Sequence, residues 1–350
     1  FSDLKVKKLN FSSKNIFFFR LNKKFKIEDF EITSKMFIDK FSIANNLKLK
    51  KFFPKVKKKI TFSKNKLNII YKKEDLSING NGNILFQDKN DEIDFILKKK
   101  NQNINFYTSI KIKDNPLLID FLNFEKDQNI ETVIRLEGIR KKNKQTLVNL
   151  FSLKEAKNYI GIKNLILNKQ LKVTDFNEII LDYLDKEKQK NSIKLYKKNK
   201  EYFLVGPFFN ANRLIDDLLK EDRNKSNILN IDGKLTIDID EVYLDNKYNL
   251  KNFSGYLLFQ GQKILKSNIN GNFNEDEKFK YTINTVNNSK ITTLYIDKAE
   301  PIVKRYKFIK GFDEGSLDFY SSKKFDESTS TLKIYNFKLR ELPVLTKILT

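Results

Sequence analysis

The side chains with chemical potential in this sequence are carboxylates. Asp238 and Asp240 stand two apart, with Asp232 and Glu241 close by. That spacing puts the pair on one face of a strand, where such a cluster could do acid and base work on a glycoside or hold a hard cation. Nothing else nearby is assembled for that work, and solvated strand faces carry such pairs routinely, so we expect surface charge. The sequence has no His and no Cys. A serine nucleophile would lack its imidazole base, and the usual ligands of zinc, haem and iron–sulfur sites are missing. Asn79-Gly80-Asn81-Gly82 lacks the third glycine of a dinucleotide loop and the Lys-Ser/Thr of a phosphate loop, and it is expected to be a hairpin turn. Asp216 and Asp217 fall in a predicted helix and are expected to be exposed. We therefore expect no enzyme, no cofactor and no metal.

The formal charge of +24 suggests a polyanion partner, because clustered cations gain affinity by releasing counterions from phosphates. Only seven of the 68 basic residues are Arg, the side chain suited to forked phosphate and base contacts. The lysines are interspersed with acids, and Lys, Asn, Ile and Phe are abundant together, as compositional bias in an AT-rich genome produces. Nucleic acid is not expected as a partner. The lysine clusters at 57–59, 98–100 and 141–144 are expected to be surface charge at strand ends and turns, protecting sheet edges from aggregation.

The elements that must position any site are strands. Most of the chain alternates apolar and polar residues at a period of two, the pattern of a sheet with one dry and one wet face. Leu235, Ile237 and Ile239 point one way, with Thr236, Asp238 and Asp240 pointing the other. Leu317 and Phe319 repeat the device, as do residues 26–32, 104–112, 163–173 and 332–339. Turn signals fall at short intervals, at 79–82, Asp232-Gly233, Gly261-Gln262, Asn270-Gly271 and Asn287-Asn288, which predicts hairpins and an antiparallel sheet. Helical patterns are few and short: 116–124, 211–221 with Asn210 as N-cap, 299–306 and 342–349. The fold class is mainly β, an elongated and strongly twisted antiparallel sheet with a few short helices. About twenty strands at about 4.8 Å would extend roughly 95 Å, too far for one globule, so the sheet must curl, split or expose an apolar channel. The polar run 222–227 is the softest point, dividing an N-terminal meander, 1–221, from a C-terminal segment, 222–350. The start at Phe1 and the helical pattern that breaks off at the end lead us to expect a piece of a longer protein. No run of apolar residues is long enough for a spanning helix.

Two stretches carry a family resemblance. The first is Tyr202 to Leu219, Y-F-L-V-G-P-F-F-N-A-N-R-L-I-D-D-L-L, and the second is Thr331 to Leu349, T-L-K-I-Y-N-F-K-L-R-E-L-P-V-L-T-K-I-L. Both resemble the AsmA-like bacterial envelope proteins, in particular the YhdP-like branch with its AsmA-like C-terminal region. Gly206, Ala211, Leu214 and Ile215 match the first pattern, while Asn210 replaces its Asp and Asn212 its Arg. Leu332, Ile334, Phe337, Leu339, Pro343, Leu345, Ile348 and Leu349 fit the second, with Asn336 where Asp is usual. Residues 295–315 resemble the family's short helix and glycine-containing turn, but Lys298-Ala299-Glu300 departs from its Asp-Ala-Gly. These are structural residues, and the resemblance covers about the last 150.

What the resemblance implies is a periplasmic protein, anchored to the inner membrane by a segment outside this chain. Its twisted sheet would form a hydrophobic groove that moves phospholipid toward the outer membrane. The expected groove lining is Leu235, Ile237, Ile239, Leu257, Phe259, Leu317, Phe319, Leu332 and Ile334. A closed sandwich core would use the same alternation. Lysines at the rim would attract anionic headgroups. The alternative is an envelope scaffold that binds partner proteins through its strand edges.

Overall fold

The structure is a computed structural model that describes residues 7–45, 49–219, 232–260, 263–305, 311–325 and 327–340. Among the described residues the chain is mainly β, 70% strand, in twisted sheet with two short α-helices. With so little helix, connecting segments must do most of the covering of any apolar face. The chain divides into two compact units, 1–188 and 189–350. The boundary read from the sequence at 221/222 falls inside the second unit, and the run 222–227 lies outside the described residues.

The first unit carries β1 (Lys7–Leu21), β2 (Ile27–Ala44), β3 (Lys59–Lys72), β4 (Asp75–Leu85), β5 (Asp91–Lys100) and β6 (Asn103–Ile112). A small ribbon of β7 (Leu118–Ile119) and β8 (Phe124–Glu125) follows. The meander resumes with β9 (Thr132–Arg140), β10 (Thr146–Glu155), β11 (Asn158–Leu167), β12 (Val173–Asp175) and β13 (Glu178–Leu184). Each long strand pairs antiparallel with the next, and β9 takes its place beside β6. The β12 and β13 segments both pair with β11, as one strand interrupted at Phe176-Asn177.

The turns explain which hairpin signals were readable. Asn287-Asn288 is a two-residue turn with both residues at positive φ, as the sequence predicts. Lys73-Glu74, Asn101-Gln102 and Asn199-Lys200 adopt the same conformation without any glycine. Asn79 to Gly82, by contrast, is no turn. It lies inside β4, where Gly80 leaves room for its neighbours: a Cβ there would come within 2.4 Å of the Phe95 ring and 2.6 Å of Leu67. Asn270-Gly271 likewise lies within a strand, Lys263–Asn272, and Gly261-Gln262 falls outside the described residues. The helix expected at 116–124 is instead the β7–β8 ribbon around a single 3-10 turn, with Asn123 left-handed at its end.

The second unit contains β14 (Lys190–Lys198), β15 (Glu201–Asn210), α1 (Asn212–Leu219), β16 (Gly233–Tyr243), β17 (Asn249–Gln260), β18 (Lys263–Asn272) and β19 (Lys278–Val286). It ends with β20 (Ser289–Ile296), α2 (Glu300–Val303), β21 (Phe312–Lys324) and β22 (Glu327–Leu339). Neighbours in sequence pair throughout, but β15 and β16 are parallel, so the sheet is mixed rather than purely antiparallel. A parallel pair requires a crossover, and α1 begins it. The Asn210 side chain accepts the Asn212 N–H at 3.0 Å as α1 opens, with Ala211 occupying the cap position itself. Gly206, at φ 155°, lies where a Cβ would meet the Ser192 carbonyl at 2.2 Å, so only glycine lets β14 and β15 approach. Leu214 is half exposed on α1 and Phe337 on β22. The helical pattern at 342–349, with Pro343 and Leu345, lies outside the described residues.

Candidate functional site: two faces of one sheet

Register across the first unit sorts its side chains onto two unlike faces. One cross-strand row runs Ile69, Ile78, Leu97, Phe106, Gly138, Val148 and Leu165. A second, closer to the middle of the strands, runs Met36, Leu67, Gly80, Phe95, Thr108, Leu136, Phe151, Ile162 and Ile179. Side chains alternate along a strand, so both rows stand on the same face and make it almost wholly apolar. The opposite face is more polar but not free of apolar residues: it carries Lys35, Asn68, Asn79, Ile96 and Tyr107 in one row and Phe37, Lys66, Asn81 and Asp94 in the next.

The apolar face is closed at one end. Ile84, Ile93, Ile112, Leu153, Ile160 and Tyr183 pack with Phe86, Leu117, Ile119 and Phe124 into a buried cluster. The connections that cover it are tied to one another: Leu118 N–H donates to the Phe52 carbonyl, and Gln87 Nε2 donates to the Pro116 carbonyl, both at 2.9 Å. Phe53 meets Phe86 edge-on at 4.8 Å, and Phe124 meets Tyr183 in the same way at 5.7 Å. The Tyr183 hydroxyl donates to the Leu122 carbonyl, and burial pushes its pKa up.

Beneath these connections lies a polar knot. Asp91 accepts from Asn115 Nδ2 at 2.7 Å, while its other oxygen is buried without a hydrogen-bond partner. Burial raises its pKa to about 6, against the opposing pull of Asn115. Lys126 is buried as well and donates to the carbonyls of Lys113 and Asp127, and burial lowers its pKa. Glu155 accepts from Thr132 Oγ1 at 2.6 Å. Among the described residues no group of three carboxylates is placed to hold a metal ion.

Toward the other end the same face loses its cover. Leu67, Ile69, Ile78, Leu97, Phe106 and Leu136 are only half-buried, and Ile104 is exposed. Lys99 and Arg140 flank Ile104 in the outermost row. A concavity of about 920 Å³ crosses the first six strands, and its lining is mostly residues of the opposite face, among them Lys35, Lys66, Asn79, Ile96 and Tyr107, with Met36, Leu67, Gly80 and Phe95 in the row between them.

The nine lining residues expected from the sequence all belong to the second unit, and register brings them onto one face of its sheet. One row runs Leu204, Ile237, Gly255, Ile269, Tyr281, Leu294, Phe319 and Leu332, and the next includes Phe279, Ile296, Leu317 and Ile334. Leu235 pairs with Leu257, and Phe259 lies two residues outward on the same face, opposite Gly233. Leu235, Ile237, Ile239 and Leu317 are buried, Leu257, Phe259, Phe319 and Ile334 are half-buried, and Leu332 is 51% exposed. Here too a connection closes part of the face, with Ala299 and Val303 packing on Ile296, Phe312 and Leu317. Glu300 anchors α2 by accepting from Tyr248 and from Lys247 and Lys304. Burial alone would raise its pKa, but those three hydrogen bonds outweigh it and hold the carboxyl at about 2. Asp238 and Asp240 alternate with the buried residues of β16 and point to solvent.

The open face of the first unit was missed from the sequence. Its signal was the alternation in β3, β5 and β6, which is as regular as that of β16. No helix among the described residues is long and apolar enough to cross a membrane. Compared with known proteins, the chain matches no family model, no curated protein and no solved structure.

Proposed function

We propose that this chain is a non-catalytic lipid-handling surface that shields phospholipid tails along its apolar sheet faces, as part of an AsmA-like protein that moves phospholipid between inner and outer membrane. The observation that carries the reading is the half-open apolar face of the first unit, with the rows from Met36 to Ile179 and from Ile69 to Leu165 continuous from strand to strand. A sixteen-carbon tail exposed to water costs about 12 kcal/mol at roughly 0.8 kcal/mol per methylene, so a continuous apolar track removes most of the barrier to moving it. The resemblance to AsmA-like proteins supports the same reading, and with it a periplasmic location and an inner-membrane anchor outside this chain.

Native mass spectrometry with lipid extraction on the purified chain tests it. Phospholipid should co-purify at a defined stoichiometry, and Ile78→Asp or Leu97→Asp should abolish it while the fold persists. A lipid-free chain, or loading untouched by either charge, overturns the reading.

A second reading, an envelope scaffold, is favoured by the edges. Among the described residues β1 pairs only with β2 and β22 only with β21, leaving two long strands each with one unpaired side. Such edges can add a strand from a partner protein. A lipid-free chain whose partner binding is lost on Ser330→Pro would favour this reading.

A further inference from the structure

We propose that the uncovered end of the first unit docks on an anionic membrane surface, with the connections at that end acting as a basic, apolar-tipped contact edge. Because β1, β3, β5, β9 and β11 all run toward this end, the connections 22–26, 73–74, 101–102, 141–145 and 168–172 share it. They contain nine lysines against one acid, Glu74. The connections 45–58, 86–90, 113–131 and 156–157 at the other end hold ten lysines, but these are offset by six acids. The strand ends Lys99 and Arg140 add to the basic edge.

Two of these loops are built alike. In Asn22-Lys-Lys-Phe-Lys26 and Asn168-Lys-Gln-Leu-Lys172 the Asn side chain accepts two backbone N–H groups, from Lys24 and Lys26 in one and from Gln170 and Lys172 in the other, at 2.9 and 3.0 Å. The Asn N–H closes each loop on the carbonyl of Lys26 or Lys172, and the Phe25 or Leu171 N–H returns to the Asn carbonyl. Phe25 (φ 59°) and Leu171 (φ 60°) thus sit in the left-handed region, where bulky side chains are rare. The comparable loop at 141–145 has Lys144 there, at φ 66°. Phe25 is 85% exposed and Leu171 54%. Behind Phe25 the β1 strand is apolar on both faces, Ile16 and Phe18 on one and Phe17 and Phe19 on the other, all exposed.

A segment apolar on both faces cannot bury itself against one protein layer, but it can enter the boundary between headgroups and acyl chains. Each of its two loops satisfies four of its backbone N–H groups internally, which lowers the cost of placing the loop at an apolar boundary. Lysines beside the apolar tips would remain at the headgroups, drawn there by anionic lipid. A nucleic acid would satisfy the lysines but leave Phe25 and Leu171 without a role.

The test is co-sedimentation of the full chain with phosphatidylcholine vesicles, with and without phosphatidylglycerol, at physiological salt. Binding should require the anionic lipid. It should fall at least about tenfold in the Phe25→Ser, Leu171→Ser double variant, and about fivefold for each of Lys23→Gln, Lys24→Gln, Lys141→Gln and Lys142→Gln. Lys50→Gln and Lys51→Gln at the other end should leave it unchanged. Equal binding to both vesicles, equal losses from lysines at either end, or a nucleic acid that displaces the vesicles and binds the double variant normally would overturn the proposal. Lipid co-purification is a separate readout: if it survives while vesicle binding fails, docking falls and the lipid-handling reading stands, and the reverse result removes only the latter.

Discussion

The two ends of the first unit's apolar face use the same residue types to opposite effect. Around Ile112, Leu153 and Phe124 the face is sealed into a core, whereas around Ile78, Leu97 and Ile104 it stays partly open. The strands do not differ in pattern between these ends. The connections do: at one end two of them, 45–58 and 113–131, are long enough to fold over the face with Phe53, Leu117 and Phe124, and at the other all are tight turns and short basic loops. An apolar strand face therefore becomes a core or an accessible surface according to the length and composition of what joins the strands.

The largest expected effect separates the two ends by stability. Phe124→Ala should cost about 3–5 kcal/mol through the cavity left in the sealed cluster. Leu97→Ala, at a site already half open, should cost less than half as much. Urea unfolding of both variants measures the gap, and equal losses would mean that the open end is packed like a core.

Next in size is the Asp91 knot beneath the cover. Its pKa rises from 3.8 to about 6 on folding, so the ionised form is disfavoured in the native state. The sign follows directly: stability is highest below pH 3.8 with respect to this group and falls as pH climbs from 3.8 to about 6. Asp91→Asn should remove that slope and stabilise the protein at neutral pH by up to about 3 kcal/mol, at 1.36 kcal/mol per pH unit. Thermal melts across this range give the answer. Glu300, the anchor of α2 in the second unit, behaves in the opposite sense. Its pKa is lowered from 4.5 to about 2, so the stability it supplies is complete above pH 4.5 and disappears as pH falls toward 2. The partner lysines are more than half exposed, and screening reduces the contribution of these pairs to about 1–2 kcal/mol. Glu300→Gln should flatten that acid limb.

Much of the sheet was legible because a period of two is hard to mistake, and the alternation in β16, β21 and β22 maps directly onto rows of paired residues. Turns were legible only where Asn or Gly advertised them. Lys73-Glu74 gave no signal, since its left-handed pair is imposed by the strands it joins. The glycines of β4 gave a false one, because close approach of Phe95 and Leu67 over Gly80 is a tertiary event with no local trace. The parallel β15–β16 pair was equally hidden, as direction depends on where the crossover returns. For the candidate site, the alternation marked which residues share a face, but not which stretch of face its connections leave open. That choice depends on residues far away in sequence, such as Leu117 packing over Ile112 and Ile84.

If the apolar face of the first unit holds acyl chains, site-specific photocrosslinking will capture them there. A photoreactive residue replacing Ile78 or Leu97 on the apolar face, or Asn79 or Lys98 on the opposite face, would be activated in cells and the adducts analysed for lipid. Phospholipid adducts are expected at 78 and 97 and none at 79 and 98. Adducts at all four positions, or at none of them, would contradict acyl-chain binding on that face.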